Sequence, residues 1–320
     1  KVTQAEAEKQ VKDYFKSQVN PNTNTYYTDA DFAYTTWFEV GPEKVYDDAG
    51  KFERYDYECW WGYDSLPCVK AVTAEETNLT NDENATIAGS HEYNNVEYRD
   101  EVIGYDLTGK SSAEASTAMQ EANSQKWLWM GASGWRLDVA PDVSDETWQQ
   151  FRKAVKSTAG YTDVNGNTIA DPIILGEEWG VATSYLLGDM FDSVMNYQFR
   201  AALQNFIING ADAKTFNAQL ETIRENYPEE AWYAMLNLVD SHDTVRNITK
   251  IDYPTWEEEN IANAPEASER AIKLQALTAI FQLSYPGAPT IYYGDEVGVT
   301  GTKDPDSRRT FPWERINSDN

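Results

Sequence analysis

Cationic side chains are scarce in this chain. Its 320 residues hold 26 Lys and Arg against 53 Asp and Glu, and the net charge of −27 repels nucleic acid and anionic membrane surfaces. No nucleic-acid partner is expected. Long apolar runs are missing too, so membrane insertion through a spanning helix is not expected either. Lys1 does not open a signal peptide, and the chain reads as mature or excised. Cysteine occurs only at Cys59 and Cys68, flanking Trp60-Trp61, and the readings are a disulfide in an oxidising compartment or two buried free thiols. No EF-hand spacing occurs, so the metal content is open. Of the two histidines, His91 lies in a loop-like stretch without a motif. Asn78, Asn84 and Asn247 begin glycosylation sequons, which matter only in a eukaryotic secretory route.

Length and aromatic weight are present in quantity. A composition 41% hydrophobic over 320 residues suffices for one large α/β domain with an inserted subdomain. Eleven Trp and twenty Tyr suit the apolar faces of sugars, although core packing accounts for most of them. Ala5 to Val19 has helical composition, and Asn20 to Asp56 is polar, aromatic and turn-punctuated. Further on, helices are expected over Ser112–Met130, after Ser144 as N-cap, up to about Asn209, over Ala213–Glu225 and over Glu269–Leu283. Trp148, Phe151 and Val155 recur at helical spacing as core residues, and Asn165-Gly166-Asn167 marks a turn or tight hairpin. Phe191–Tyr197 and Pro289–Gly294 read as strands, the latter ending at Asp295-Glu296.

The chain is organised around Gly134-Trp135-Arg136-Leu137-Asp138. Its period-2 alternation predicts a strand with one charged face, broken soon afterwards at Pro141. An Arg two residues before an Asp can hold that carboxylate ionised, as a nucleophile requires, but a buried structural ion pair would leave the same trace. Two later segments repeat the pattern: Pro172-Ile173-Ile174-Leu175 runs into Gly176-Glu177-Glu178-Trp179, and Ala234–Val239 runs into Asp240-Ser241-His242-Asp243. In α/β barrels the C-terminal strand ends converge on one face, so acids far apart in sequence can meet there.

Gly134-x-Arg136-x-Asp138, Gly176-Glu177-x-Trp179 and Ser241-His242-Asp243 resemble, in order and spacing, three motifs of the α-amylase family of glycoside hydrolases, family 13. Cys59–Pro67 and Val239–Thr244 look most like its neopullulanase and amylopullulanase branch. The resemblance implies a (β/α)8 TIM barrel with an inserted loop-rich subdomain. Residues 1–100 would be that insert, after barrel strand three, and 101–320 the C-terminal part of the catalytic barrel, with strands four to eight. Strands one to three, with the Asp-x-x-x-Asn-His motif expected after the third, are not in this sequence, and neither is the C-terminal β-sandwich. The remaining strands are expected from another part of the same gene product.

By the same resemblance Asp138 is the nucleophile, Glu177 the acid–base and Asp243 the third carboxylate that hydrogen-bonds the sugar at the cleaved bond. Arg136 orients the nucleophile, His242 binds sugar, Trp179 borders the acceptor subsites, Asp304 and Arg308 meet the −2 sugar, and Trp60 and Trp61 line the cleft. The implied activity is retaining hydrolysis of α-1,4 and, by extension, α-1,6 bonds in starch, pullulan or maltooligosaccharides. No cofactor is required, structural Ca²⁺ is allowed, and an extracellular or cell-surface location follows from a polymeric substrate. Pro141-Asp142 stands where relatives often carry Asn-Glu, so linkage preference does not transfer. Two other functions fit the same motifs: an α-glucan transglycosylase and a non-catalytic glucan-binding barrel subunit.

Overall fold

The computed structural model describes residues 102–257 and 264–316 continuously, and before them residues 9, 13–14, 16–20, 24–28, 40–46, 48–50, 52–57, 59–63 and 66–68. His91 and the sequons at Asn78 and Asn84 lie outside the described residues. The chain divides into two compact units, Lys1–Ala132 with Val143–Ala170, and Ser133–Asp142 with Asp171–Asn320. Among the described residues no helix is long and apolar enough to cross a membrane.

In the first unit β1 (Val19–Asn20) pairs antiparallel with β2 (Thr25–Tyr26), and β3 (Val40–Tyr46) with β4 (Phe52–Tyr57). Cys59 and Cys68 are half-buried free thiols. The helix expected over 112–130 is two helices, α1 (Ser112–Glu121) and α2 (Asn123–Trp129), because Ala122 is extended at φ −85° and ψ 125°. The break serves buried polar groups. Gln125 accepts from Tyr105 N at 3.0 Å and donates to Tyr105 O at 2.8 Å and Ala154 O at 2.9 Å, while Ser124 Oγ donates to Ile103 O at 2.5 Å. An unbroken helix would turn these side chains off the Ile103–Tyr105 backbone they satisfy. Ser111 and Glu114 form a capping box on α1, and Ser144 accepts from Thr147 N at 3.3 Å to start α3 (Asp145–Lys156). As the spacing predicts, Trp148, Phe151 and Val155 are buried. Thr162 pairs with Thr168 across the turn at Asn165-Gly166-Asn167, whose first and last N–H groups donate to Asp163 Oδ1, each at 2.8 Å.

The second unit holds five parallel strands in chain order: β5 (Gly134–Leu137), β6 (Ile173–Gly176), β7 (Ser193–Val194), β8 (Leu236–Leu238) and β9 (Ala288–Thr290). A parallel bridge between Met195 and Leu236 joins β7 to β8. This is the strand-helix repetition of a (β/α)8 barrel, seen for part of its circuit. The strands are shorter than the apolar runs suggested. At Asn196 the chain turns to cap α4 (Tyr197–Ile207), its Oδ1 accepting from Phe199 N at 3.1 Å. Ala234, placed at a strand start by its apolar neighbours, is the last residue of a short helix, α6 (Glu229–Ala234), which follows α5 (Ala213–Asn226). The chain leaves β9 for a turn in which Gly294 has φ 94°.

Helices are tied to strands by buried amides as well as by apolar packing. From α8 (Glu269–Ser284), which follows α7 (Asn247–Asp252), Gln282 Nε2 donates to Asn237 O and Thr290 O at 2.8 Å each, reaching both β8 and β9. Phe199 of α4 and Phe281 of α8 each stack on Tyr285, with centroids 5.4 and 5.6 Å apart. The closest strand approach needs a glycine: a Cβ on Gly134 would sit 2.2 Å from Ile173 O across the β5–β6 pair. Gly134→Ala should therefore cost about 2–3 kcal/mol in urea unfolding of the full-length protein. A change within about 0.5 kcal/mol would show that the two strands can part freely.

Candidate active site

Asp138 and Glu177 follow directly on parallel strands, and Asp240, Asp243 and Asp295 lie in the segments just beyond others. Asp138 comes after β5, Glu177 after β6, Asp240 and Asp243 after β8, and Asp295 after the β9 turn. Short strands that end together leave unpaired backbone and open space at that end, where side chains can gather. Arg136 lies on β5 and reaches both acids of the first two strands: Nη1 hydrogen-bonds Asp138 Oδ1, and Nη2 lies 3.3 Å from Glu177 Oε1.

Glu177 is 6% exposed and fully engaged. Trp179 Nε1 donates to its Oε1 at 3.1 Å, Val139 N donates to its Oε2 at 2.9 Å, and its carboxyl is hydrogen-bonded to Asp138 as well. The Val139 contact depends on backbone strain, since this β-branched residue has φ 44°, in the left-handed region that valine avoids. Partial burial opposes ionisation of Asp138. The hydrogen bond and charge of Arg136, with the Glu177 hydrogen bond, outweigh it and hold that carboxyl below its ordinary range. For Asp243 burial wins, reinforced by the charge of Glu177, and its carboxyl is raised despite His242 and Arg308. Glu177 thus acts on both Asp138 and Asp243, so the three carboxyls share one site.

Asp243 sits on a turn built by Ser241, whose Oγ accepts from Asp243 N at 3.2 Å and lies 3.0 Å from the Tyr197 hydroxyl. His242 Nε2 is 2.9 Å from Asp243 Oδ2, and Arg308 Nη2 is 3.3 Å from Asp243 Oδ1. Arg308 also grips Asp304, through Nε at 2.7 Å and Nη2 at 3.2 Å. The structure thus brings Asp138, Glu177, Asp243, Arg136, His242, Trp179, Asp304 and Arg308 together in the second unit. Trp60 and Trp61 belong to the first unit, where they stack on each other at 5.3 Å and Trp61 is 77% exposed.

Residues 106–320 match the sequence profile of the alpha-amylase family, described as "Alpha amylase, catalytic domain". The chain belongs to the α-amylase family. It is 35% identical to an amylopullulanase of Thermoanaerobacter thermohydrosulfuricus over 304 residues, 89% of this chain. With neopullulanase 2 of Thermoactinomyces vulgaris it shares 41% identity over 189 residues, 59% of this chain. The solved structure of a cyclic α-maltosyl-(1→6)-maltose hydrolase from Arthrobacter globiformis covers 90% of the chain with a TM-score of 0.58 and 28% identity. The chain spans 17%, 28% and 49% of the lengths of these three relatives. Its parallel strands are accordingly part of the α-amylase catalytic barrel, and strands one to three are not among them.

Two features of this α-amylase-family site were not assigned from sequence. Tyr197 stacks flat under Trp179, with centroids 4.1 Å apart and planes 11° from parallel, and burial raises its hydroxyl to about 12. The other is a buried cluster behind Asp243. Asp240, 2% exposed, accepts from Asn247 N at 2.6 Å through Oδ2. Asp240 Oδ1 and Asp295 Oδ2 are both buried without a hydrogen-bond partner, and the two carboxyls act on each other's ionisation. Burial, then the charge of Asp240, pushes Asp295 up to about 9, with Arg246 acting against the rise. A signal existed in Val239-Asp240 and Asp295-Glu296, acids at strand ends beyond the number a catalytic triad needs. Among the described residues no three His, Cys, Asp or Glu side chains form a group able to hold a metal ion, and no step below runs through calcium.

The raised Asp295 carboxyl has a measurable consequence. Between the ordinary aspartate range, about 4, and the value near 9, the folded chain holds a proton at Asp295 that the unfolded chain has lost. The stability it contributes is complete below that range and is lost as pH rises through about 9. Asp295→Asn is neutral at every pH and has no proton to release. Melting curves of wild type and variant should therefore diverge by several degrees against the wild type from about pH 5 to about pH 9. A difference that stays constant with pH would rule out a proton held at Asp295.

Proposed function

We propose that this chain carries the catalytic carboxylates of a retaining α-glucan hydrolase acting on starch, pullulan or their oligosaccharides. The observation that carries the reading is the Arg136 guanidinium shared by the Asp138 and Glu177 carboxyls, with Asp243 in electrostatic contact with Glu177. Retaining glycosidases keep their two carboxyls about 5–5.5 Å apart, whereas inverting ones need about 6.5–9.5 Å to fit a water. Two carboxyls held by the two ends of one guanidinium suit the first geometry.

In the proposed reaction Asp138, kept anionic by Arg136, attacks the anomeric carbon as the glycosidic C–O bond breaks and Glu177 gives its proton to the departing oxygen. A glycosyl ester on Asp138 results. Water then attacks the same carbon, Glu177 takes the water's proton, and Asp138 leaves as a carboxylate. Trp179 and the Val139 N–H hold Glu177 at the leaving oxygen throughout. Asp243 and His242 hydrogen-bond the sugar at the cleaved bond, Asp304 and Arg308 hold the −2 sugar, and the Trp179–Tyr197 stack offers an apolar face to the acceptor side. Trp60 and Trp61 would line the cleft. Neither step needs a cofactor.

The remaining barrel strands would come from another part of the same gene product. Support comes from the space between α8 and the segment that follows β9. A cavity of about 540 Å³ lies there beside Ile272, Leu283 and Ile291, which are 55%, 60% and 54% exposed. An apolar surface of this kind is what a neighbouring barrel unit covers. Polymeric starch and pullulan are met mostly outside the cell, which favours an extracellular or cell-surface location.

Asp138→Asn in the full-length enzyme should lower kcat on maltooligosaccharides by roughly 10³-fold or more while glucan binding persists. Undiminished turnover would end the catalytic reading and leave a glucan-binding subunit. Glu177→Gln should lose activity on maltooligosaccharides yet keep most of its first-step rate on α-glucosyl fluoride, whose leaving group needs no proton. Equal losses on both substrates would remove Glu177 from the acid role.

A further inference from the structure

Arg246 is fully buried, and the reaction makes no use of it. Its backbone N donates to Gly301 O at 3.0 Å. Its side chain joins two segments beyond its own: Nε donates to Ser307 O at 2.9 Å, and Nη1 donates to Tyr293 O at 2.6 Å and to Asp295 Oδ1 at 3.2 Å. The Tyr292 and Tyr293 rings flank it, with Cζ 3.9 and 4.8 Å from their centroids. A fully buried guanidinium is costly to maintain, and the carboxyls of Asp295, 3.2 Å from Nη1, and Asp240 act to balance it.

What it holds is specific. Ser307, whose carbonyl takes the Nε hydrogen, precedes Arg308, the side chain that grips Asp304 and touches Asp243. Ser307 is itself fully buried, and its Oγ donates to His242 O at 2.9 Å, next to Asp243. The segments are packed to contact: a Cβ on Gly301 would meet Asp306 O at 2.8 Å and Arg246 Cγ at 3.2 Å. Two buried hydrogen bonds at the base of the Asp304–Arg308 arm thus set where it meets the His242–Asp243 turn.

We propose, on the footing of the −2 reading above, that Arg246 and Ser307 are positioning residues that set the reach of the enzyme for the second donor-side sugar, by docking the Asp304–Arg308 arm against the His242–Asp243 turn. Neither touches the sugar. Lysine at 246 cannot serve Ser307 O, Tyr293 O and Asp295 together from one ammonium in the plane of the guanidinium fork. The arm would then shift, and hydrogen bonds to a sugar do not survive shifts approaching 1 Å.

The test compares kcat/KM on p-nitrophenyl α-maltoside, which fills the −2 position, with that on p-nitrophenyl α-glucoside, which does not, in the full-length enzyme. Arg246→Lys should lower the maltoside-to-glucoside ratio about tenfold and Ser307→Ala about threefold, with glucoside turnover changed by less than about twofold. A purely structural role would depress both substrates together, and an unchanged ratio in variants that fold overturns the proposal. If the lysine variant does not fold, Ser307→Ala decides by the same ratio. Asp304→Ala separates the two layers. If it leaves the ratio unchanged, the −2 reading itself falls and takes the proposal with it; if it lowers the ratio while Arg246→Lys and Ser307→Ala do not, the docking role alone is wrong.

Discussion

The Arg136 guanidinium shared between Asp138 and Glu177 is the interaction on which the rest of the site depends. Two carboxyls in direct contact repel when both are ionised, and in a pocket with one wall of tryptophan and valine that repulsion is poorly screened. A single fixed cation on β5 lets one acid stay ionised while its partner lies on the same guanidinium. The parallel strands make this affordable. Arg136 and Asp138 share a face of β5, and the β5–β6 register, with Leu137 opposite Gly176, puts Glu177 one step beyond the same level.

A second cation repeats the device where no sugar reaches. Arg246 sits against Asp295 and near Asp240 as Arg136 sits against Asp138 and Glu177, yet the surroundings differ and so do the outcomes. Around Arg136 the site is partly open, and Asp138 is lowered. Around Arg246 both acids are buried, burial dominates, and Asp240 and Asp295 are both raised. The same pair of residue types thus yields a lowered acid at the strand ends and raised ones beneath it. Between the two clusters runs the turn of Ser241, His242 and Asp243, held on one side by Tyr197 and on the other by Ser307.

Much of this was legible in the sequence, for local reasons. Trp135, Leu137 and Val139 alternating with Arg136 and Asp138 marked a strand, and Ser144 followed by Asp145 and Glu146 marked a helix start, because both signals lie within a few residues of the structure they specify. Motif order then linked Asp138, Glu177 and Asp243 through the family. The helix break at Ala122 was not legible, since alanine favours helix, and the break is imposed by Gln125 bonding to Tyr105 and Ala154. Nor were the strand lengths. Phe191–Tyr197 reads as one strand, but Asn196 turns the chain out of it to cap the next helix.

The sequence by itself determined which residue types stand at the ends of which strands, since hydrophobic period, turn chemistry and motif spacing are properties of neighbours along the chain. Only the tertiary structure decided what those residues became. Whether an aspartate is ionised or shares a proton, whether Trp179 lies on Tyr197, and whether Arg246 reaches Ser307 all depend on groups dozens of positions away. Burial and the distance between charges set those outcomes, and both exist only once the strands lie side by side.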